Sequence, residues 1–178
     1  TSIIYYFMKA LIFGLSLAFT FEGLSQDLSI YTDSVNRFSI GIPKSWQYQV
    51  SKTIGPGVKL FVARPKEKDL EMFVENYNVN IVSSPNSNIE LAYSDLKSNI
   101  AKRKGYQFVS EKDTSINGIK YKWHLEKHLN IHTSQPMFAL IVLGYKQRQG
   151  YMVTLTAAEE SYYKYESLYK KIAATFSL

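Results

Sequence analysis

The hydrophobic period of this chain changes along its length, and that change limits the folds open to it. Over Asn76–Ser83 the side chains alternate strictly. Tyr77, Val79 and Ile81 point one way and Asn76, Asn78 and Asn80 the other, the pattern of a half-buried strand. Directly afterwards Ile89, Tyr93, Leu96 and Ile100 recur every three or four residues, as on one face of an amphipathic helix. Ser87 and Glu90 stand in capping-box relation at its start. Gly105 marks its end, and Lys102, Arg103 and Lys104 fill its last turn, where the helix dipole favours cations.

Strand signals surround this helix. Residues 37–42 read as a strand stopped by Pro43, residues 46–51 as another, and residues 58–63 as a third after a Gly55-Pro56-Gly57 turn. Residues 106–110 open a second set. Asn117-Gly118 is a strong hairpin signal, and residues 119–132 alternate beyond it. Tyr121, Trp123, Leu125, Leu129 and Ile131 form the core face; Lys122, His124, Glu126, His128 and Asn130 form the solvent face. Residues 137–143 are apolar without a break, as expected of a central strand covered on both sides. A turn at Gly150 leads into a last strand carrying Tyr151, Val153 and Leu155. Thr156 and Glu159 can then cap a final helix whose buried side is Tyr162, Tyr165, Leu168, Tyr169 and Ile172. Strands, helix, strands, helix, with hairpin turns between strands, predict an α+β sandwich on a largely antiparallel sheet.

The first 25 residues read as an address. Met8-Lys9 begins a one-lysine segment, an apolar run covers residues 10–21, and small residues at Gly23 and Ser25 precede Gln26. The expectation is a signal peptide starting at Met8 and cleaved after Ser25, with residues 1–7 upstream of it and residues 26–178 forming one domain. The rival is a retained N-terminal anchor, since the apolar run is long enough to span a bilayer, although Lys9 near its middle is costly there. An exported protein, periplasmic or extracellular, follows, with a mature form that does not span the membrane.

Composition removes several chemistries. With no cysteine among 178 residues, a disulfide scaffold, a cysteine-ligated zinc or iron–sulfur site, a cysteine nucleophile and a lipidated cysteine are all excluded. Twenty-one basic and 15 acidic residues give +6, too diffusely placed to indicate nucleic acid. There is no G-x-S-x-G elbow and no complete phosphate loop, and the acidic residues are scattered rather than paired. A non-catalytic protein is expected; a hydrolase with a dispersed site is the alternative that no motif supports.

Two candidate sites remain. His124, Glu126 and His128 lie on one side of a strand, where at about 3.3 Å per residue the two histidines are about 13 Å apart, too far to share an ion. Glu126 with either histidine makes a weak two-ligand site for a divalent metal, and no other cofactor is indicated. The second candidate is Tyr163, predicted to be the exposed tyrosine of the final helix and thus a contact for an envelope protein partner.

The opening run Phe38-Ser39-Ile40-Gly41-Ile42-Pro43-Lys44-Ser45-Trp46 resembles the signature of the PsbP-like superfamily. The Asn78-Val79-Asn80-Ile81 strand, the helix, the Asn117-Gly118 hairpin, Gly150-Tyr151 and the tyrosine-rich closing helix follow in that family's order. The resemblance implies an αβα sandwich with a central antiparallel sheet and a role in binding rather than catalysis. Members include extrinsic subunits of the photosynthetic oxygen-evolving complex, some associated with calcium or manganese. A nuclear-import factor that binds a small GTPase and several bacterial envelope proteins are similar in fold. Only residues 26–35 precede the signature strand here, shorter than the docking segment of the photosystem subunits. Export also fits neither nuclear import nor GTPase binding, so the implied role is that of an envelope accessory protein.

Overall fold

Period-two patterning becomes nine strands in the computed structural model, which describes residues 27–50, 57–69, 71–83 and 87–178. They are β1 (Leu28–Asp33), β2 (Phe38–Pro43), β3 (Gln47–Val50), β4 (Val58–Ala63), β5 (Asn76–Ser83), β6 (Gln107–Ile116), β7 (Ile119–Leu129), β8 (Pro136–Lys146) and β9 (Gln149–Ala158). Two helices join them, α1 (Ile89–Ile100) and α2 (Glu159–Ala174). The expected leader and most of the Gly55-Pro56-Gly57 turn lie outside the described residues.

The large sheet has seven strands in the order β3-β4-β5-β9-β8-β7-β6, and every neighbouring pair is antiparallel. β1 and β2 form a separate two-stranded ribbon. Asn117 and Gly118 both take positive φ, 51° and 78°, in the tight turn between β6 and β7. That backbone matches the twist of the strands, and glycine adopts it without a Cβ penalty. The β8–β9 turn is made by Gln147 and Arg148, φ 50° and 65°. Gly150, expected as the turn, instead lies in β9 opposite Tyr145. Hairpin registry prevails here over the usual preference for glycine.

α2 and the β1–β2 ribbon cover one face of the sheet. Tyr162, Tyr165, Leu168, Tyr169 and Ile172 are all buried, as their spacing predicts. Trp46 sits among Tyr77, Tyr165 and Tyr169, with ring centroids 6.2–6.4 Å apart. Two of the phenols in this core donate to backbone carbonyls: Tyr77 to Gly41 (2.9 Å) and Tyr169 to Thr156 (2.6 Å). Ser39 and Ser177 exchange both backbone hydrogen bonds, fastening β2 to the segment after α2. Residues 137–143 of β8 are buried on both faces, as expected of the central run. α1 lies on the opposite face, where Ile100 packs with Ala139 and Ile141. The result is the α+β sandwich that the pattern indicated, in the αβα arrangement that the resemblance implies.

The helix ends differ from expectation. Asn88, not Ser87, caps α1: its side chain accepts from the N–H groups of Glu90 and Leu91, at 3.0 Å each. The helix stops at Ile100, and Lys102–Lys104 belong to turns that close at Gly105 (φ 69°). Thr156 cannot cap α2 because it is paired within β9. Ala158 holds the cap position without a side-chain bond, while Glu159 and Glu160 face the positive end of the helix dipole. β7 ends at Leu129. Asn130 then accepts from the N–H groups of His132 and Thr133, which turns the chain and leaves Ile131 79% exposed rather than in the core.

The connection from β4 to β5 is held by Arg64. Its guanidinium donates to Glu75 (Nε, 2.7 Å) and to Glu71, and Glu75 also accepts from Ser161 in the first turn of α2. Glu75 is 3% exposed. Hydrogen bonding to Arg64 holds the Glu71 carboxyl below the usual carboxylate range.

Candidate functional site: the polar face of β7

Lys122, His124, Glu126 and His128 occupy one face of β7, as their alternation requires. That face is not solvent. α1 and the turns after it lie over it, so His124 and Glu126 are fully buried and Lys122 nearly so. A polar strand face can be covered only if the covering element brings hydrogen-bond partners, and α1 does. Lys122 donates to Glu90 of α1 (2.9 Å) and to Asp113 of β6 (2.7 Å), which raises its pKa.

His124 sits in an aromatic cage. Tyr106 stacks on it, Phe108 tilts against it, and Tyr93 meets it edge-on, with centroids 5.5–6.4 Å away. Tyr93 donates its hydroxyl proton to Glu111 (2.7 Å) and lies 2.9 Å from Nδ1 of His124. With that proton committed to the carboxylate, Nδ1 must carry a hydrogen and donate to the Tyr93 oxygen. Nε2 is then the acceptor facing the Tyr106 hydroxyl at 3.4 Å. Burial lowers the histidine pKa, so the ring is neutral in this one tautomer. Burial, reinforced by Glu111, raises the Tyr93 pKa.

Glu126 pairs with Arg103 from the turn after α1, and its Oε1 is 3.4 Å from Nδ1 of His128. Its Oε2 is buried without a hydrogen-bond partner among the described residues. The structure therefore brings Glu126 and His128 together, while His124 is held separately by the two phenols. Among the described residues no three His, Asp or Glu side chains are grouped to hold a metal. One carboxylate already carrying a guanidinium, plus one imidazole, is the donor set of a weak site completed by water, not of a closed one. Tyr93, Arg103, Tyr106 and Glu111 were missed as members of this network. Nothing in one sequence marks which aromatic residues will meet a strand's polar side.

Tyr163 is 71% exposed on α2, as expected, and rests edge-on against Tyr162 and Phe138. The two outer strands of the sheet offer a further contrast. β6 carries Glu111, Lys112 and Asp113 and a bulge near Val109, the devices by which proteins blunt an edge. β3, Gln47-Tyr48-Gln49-Val50, is uncharged, regular and exposed throughout, and among the described residues it pairs with β4 alone. Between β3 and the ribbon runs a groove of about 190 Å³ lined by Ile30, Tyr31, Pro43, Trp46 and Tyr48.

Comparison with known proteins agrees with this architecture. The solution structure of cyanobacterial PsbP (CyanoP) from Synechocystis sp. PCC 6803 superposes with a TM-score of 0.62 at 17% identity, covering 88% of this chain and 95% of that one. The crystal structure of LpqN, involved in cell envelope biogenesis of Mycobacterium tuberculosis, gives 0.64 at 7% identity, over 86% and 91%. At these identities the likeness is one of fold. No curated protein sequence matches the chain significantly. The PsbP family model, however, matches residues 26–178, nearly all of the chain. The protein therefore belongs to the PsbP family.

Proposed function

We propose that this protein is an exported, non-catalytic binding module of the cell envelope that captures a partner protein by strand addition at β3. The observation that carries this reading is the unguarded edge. An extended partner segment laid along residues 47–50 gains backbone hydrogen bonds and can place side chains in the groove beside Trp46 and Tyr48. Tyr163 supplies a second contact, a large surface with few rotors to immobilise. Export is supported by the leader pattern and by the likeness in fold to LpqN, a protein involved in cell envelope biogenesis. None of the described helices is long and apolar enough to cross a membrane. The non-catalytic reading is supported by His124, whose two ring nitrogens are both engaged by phenols.

The test is a photo-crosslinking residue at Gln49, at Tyr163 or at Lys112 of the blunted edge, expressed in the native envelope. Adducts are expected from positions 49 and 163 and not from 112, and Tyr48→Lys/Val50→Lys is expected to abolish the one from 49. Adducts from 112 alone, or indifference to the lysines, would refute strand addition.

A second reading is favoured by the unpartnered Oε2 of Glu126 beside His128: a weak divalent-metal site. Zinc, calcium or manganese should then raise the melting temperature of the wild type and not of His128→Ala, because a ligand that binds only the folded state stabilises it. No shift with any of the three ions ends that reading.

A further inference from the structure

Four strands of the large sheet, β3, β4, β5 and β9, contain a single charged residue, Lys59 at the β4 bulge, in a chain that is 20% charged. The strands β6 and β7 of the same sheet carry three and four. The register gathers the neutral residues on the face that α1 leaves open. α1 packs on β7 and β8, and Met152 of β9 marks the border of its apolar contacts. Beyond that border two rows cross the strands. Thr154, Asn78, Phe61 and Gln49 form one; Thr156, Asn76, Ala63 and Gln47 form the next, with Asn80 opposite Met152. Residues directly opposite each other share a face, and the alternate positions, Leu60, Val62, Tyr77, Val79, Val153 and Leu155, fill the core on the other. The outward rows are half-buried on the interior strands and exposed on β3.

The second observation is hydrogen-bonding capacity left over. Asn80 donates to Oδ1 of Asn78, and Asn76 donates to the Val74 carbonyl (2.9 Å). The Asn78 amide N–H groups, the Asn80 amide oxygen, both threonine hydroxyls and both glutamine amides have no protein partner among the described residues. Asparagine is depleted in strands, yet three occupy alternate positions of β5, an interior strand. They place donors and acceptors there without charge.

From this uncharged lattice of unspent amides and hydroxyls around Phe61, we infer a binding face for a neutral glycan laid across β9, β5, β4 and β3. The backbone groups of the interior strands are already used in the ladder, so side chains must hold the ligand. Amides both donate and accept, as sugar hydroxyls do, so each finds partners in the other. Phe61 offers an apolar surface to the C–H side of a sugar ring. Charge complementarity selects against the other polymers. A nucleic acid or an acidic glycan would meet one lysine where it needs a row of cations, and a charged peptide would find no counter-charge. The face is distinct from the β3 edge, because Tyr48 and Val50 point to the opposite side of the sheet with Val62 and Leu60.

Maltohexaose, cellohexaose and chitohexaose, three neutral hexaoses, are titrated against the ¹⁵N-labelled protein, with hexagalacturonate as the anionic control. The expected result is saturable shifts at Asn78, Asn80 and Thr154 with at least one neutral hexaose, none on β6, and about tenfold weaker binding of hexagalacturonate. Thr154→Val and Asn78→Val keep strand-forming residues at outward positions, so the fold is not at risk. Each should weaken binding about five- to tenfold through the lost hydrogen bonds, while Tyr48→Lys/Val50→Lys leaves it unchanged. No shift with any of the three hexaoses, shifts confined to other surfaces, hexagalacturonate bound as tightly, or unchanged affinity in both valine variants would overturn the site. Loss of glycan binding in Tyr48→Lys/Val50→Lys would place the ligand at the β3 edge and overturn it as well.

Discussion

The Arg64 clamp makes the sharpest demand on stability. Glu75 is almost wholly buried, and its carboxylate is shared between Arg64 and Ser161, so one ion pair ties the β4–β5 connection to the start of α2. Removing one member of a buried pair costs about 3–5 kcal/mol, because the other charge stays behind without compensation. Arg64→Met strands the Glu75 charge and should cost that full amount. Glu75→Gln is milder, since Arg64 keeps Glu71 and the amide oxygen still accepts; about 2–3 kcal/mol is expected. In the double variant no charge is stranded at position 75. Its cost should resemble that of the milder single variant, leaving a coupling of about 2 kcal/mol or more. Urea titrations of the four proteins measure this, and at about 2–4 °C per kcal/mol Arg64→Met should melt roughly 10 °C lower. Additivity within about 0.5 kcal/mol, or a loss below about 1 kcal/mol in Arg64→Met, would show that solvent already screens the pair and refute the reasoning.

Three further outcomes are expected. Asn88→Ala should destabilise the domain by about 1 kcal/mol while Ser87→Ala changes little, since only Asn88 meets the first free N–H groups of α1; chemical denaturation separates the two. Gly105→Ala should cost about 1–3 kcal/mol, because its φ is 69° and a new Cβ would come within 2.7 Å of Leu129 Cγ, a loss that thermal melts would register. His124 is held neutral by burial, so its folded pKa lies below the unfolded value of about 6.5. Between those values the unfolded chain binds the extra proton. Stability from this residue is therefore complete above about pH 6.5 and declines as pH falls toward the folded pKa. Denaturation at stepped pH should show that slope in the wild type and its loss in His124→Phe.

The elements of this fold were legible because each buries a contiguous stripe, and a stripe leaves a period in the sequence. The helix faces carrying Tyr93 and Ile100, and Tyr162 through Ile172, emerged intact for that reason. Errors clustered where two residues compete for one local task. Ser87 and Asn88 can both cap, and Thr156 has the chemistry of a cap but is needed by the β9 ladder. The larger miss was the polar side of β7. Alternation separates two faces but does not say that the polar one meets water. His124 and Glu126 are buried because Tyr93, Arg103 and Tyr106 come to them from elsewhere, and each of those residues has an ordinary reason to be on its own element. The unguarded β3 edge was visible as four uncharged residues, yet only the strand order makes it an outermost strand.

Strand order also sets a timetable. β5 pairs with β4 on one side and on the other with β9, which lies beyond α1 and three further strands in sequence. In any chain delivered N-terminus first, from a ribosome or through a membrane channel, the β3–β5 meander emerges with one flank of β5 unpaired and must wait for the second half to arrive. Such long-range closure is slow relative to hairpin formation, and an open apolar strand left waiting invites pairing with the wrong chain. Asn76, Asn78 and Asn80, which occupy every second position along that strand, make one of its faces a poor surface for stacking. The asparagines that first marked β5 as half-buried thus have a second use, as protection for the interval before the sheet is complete.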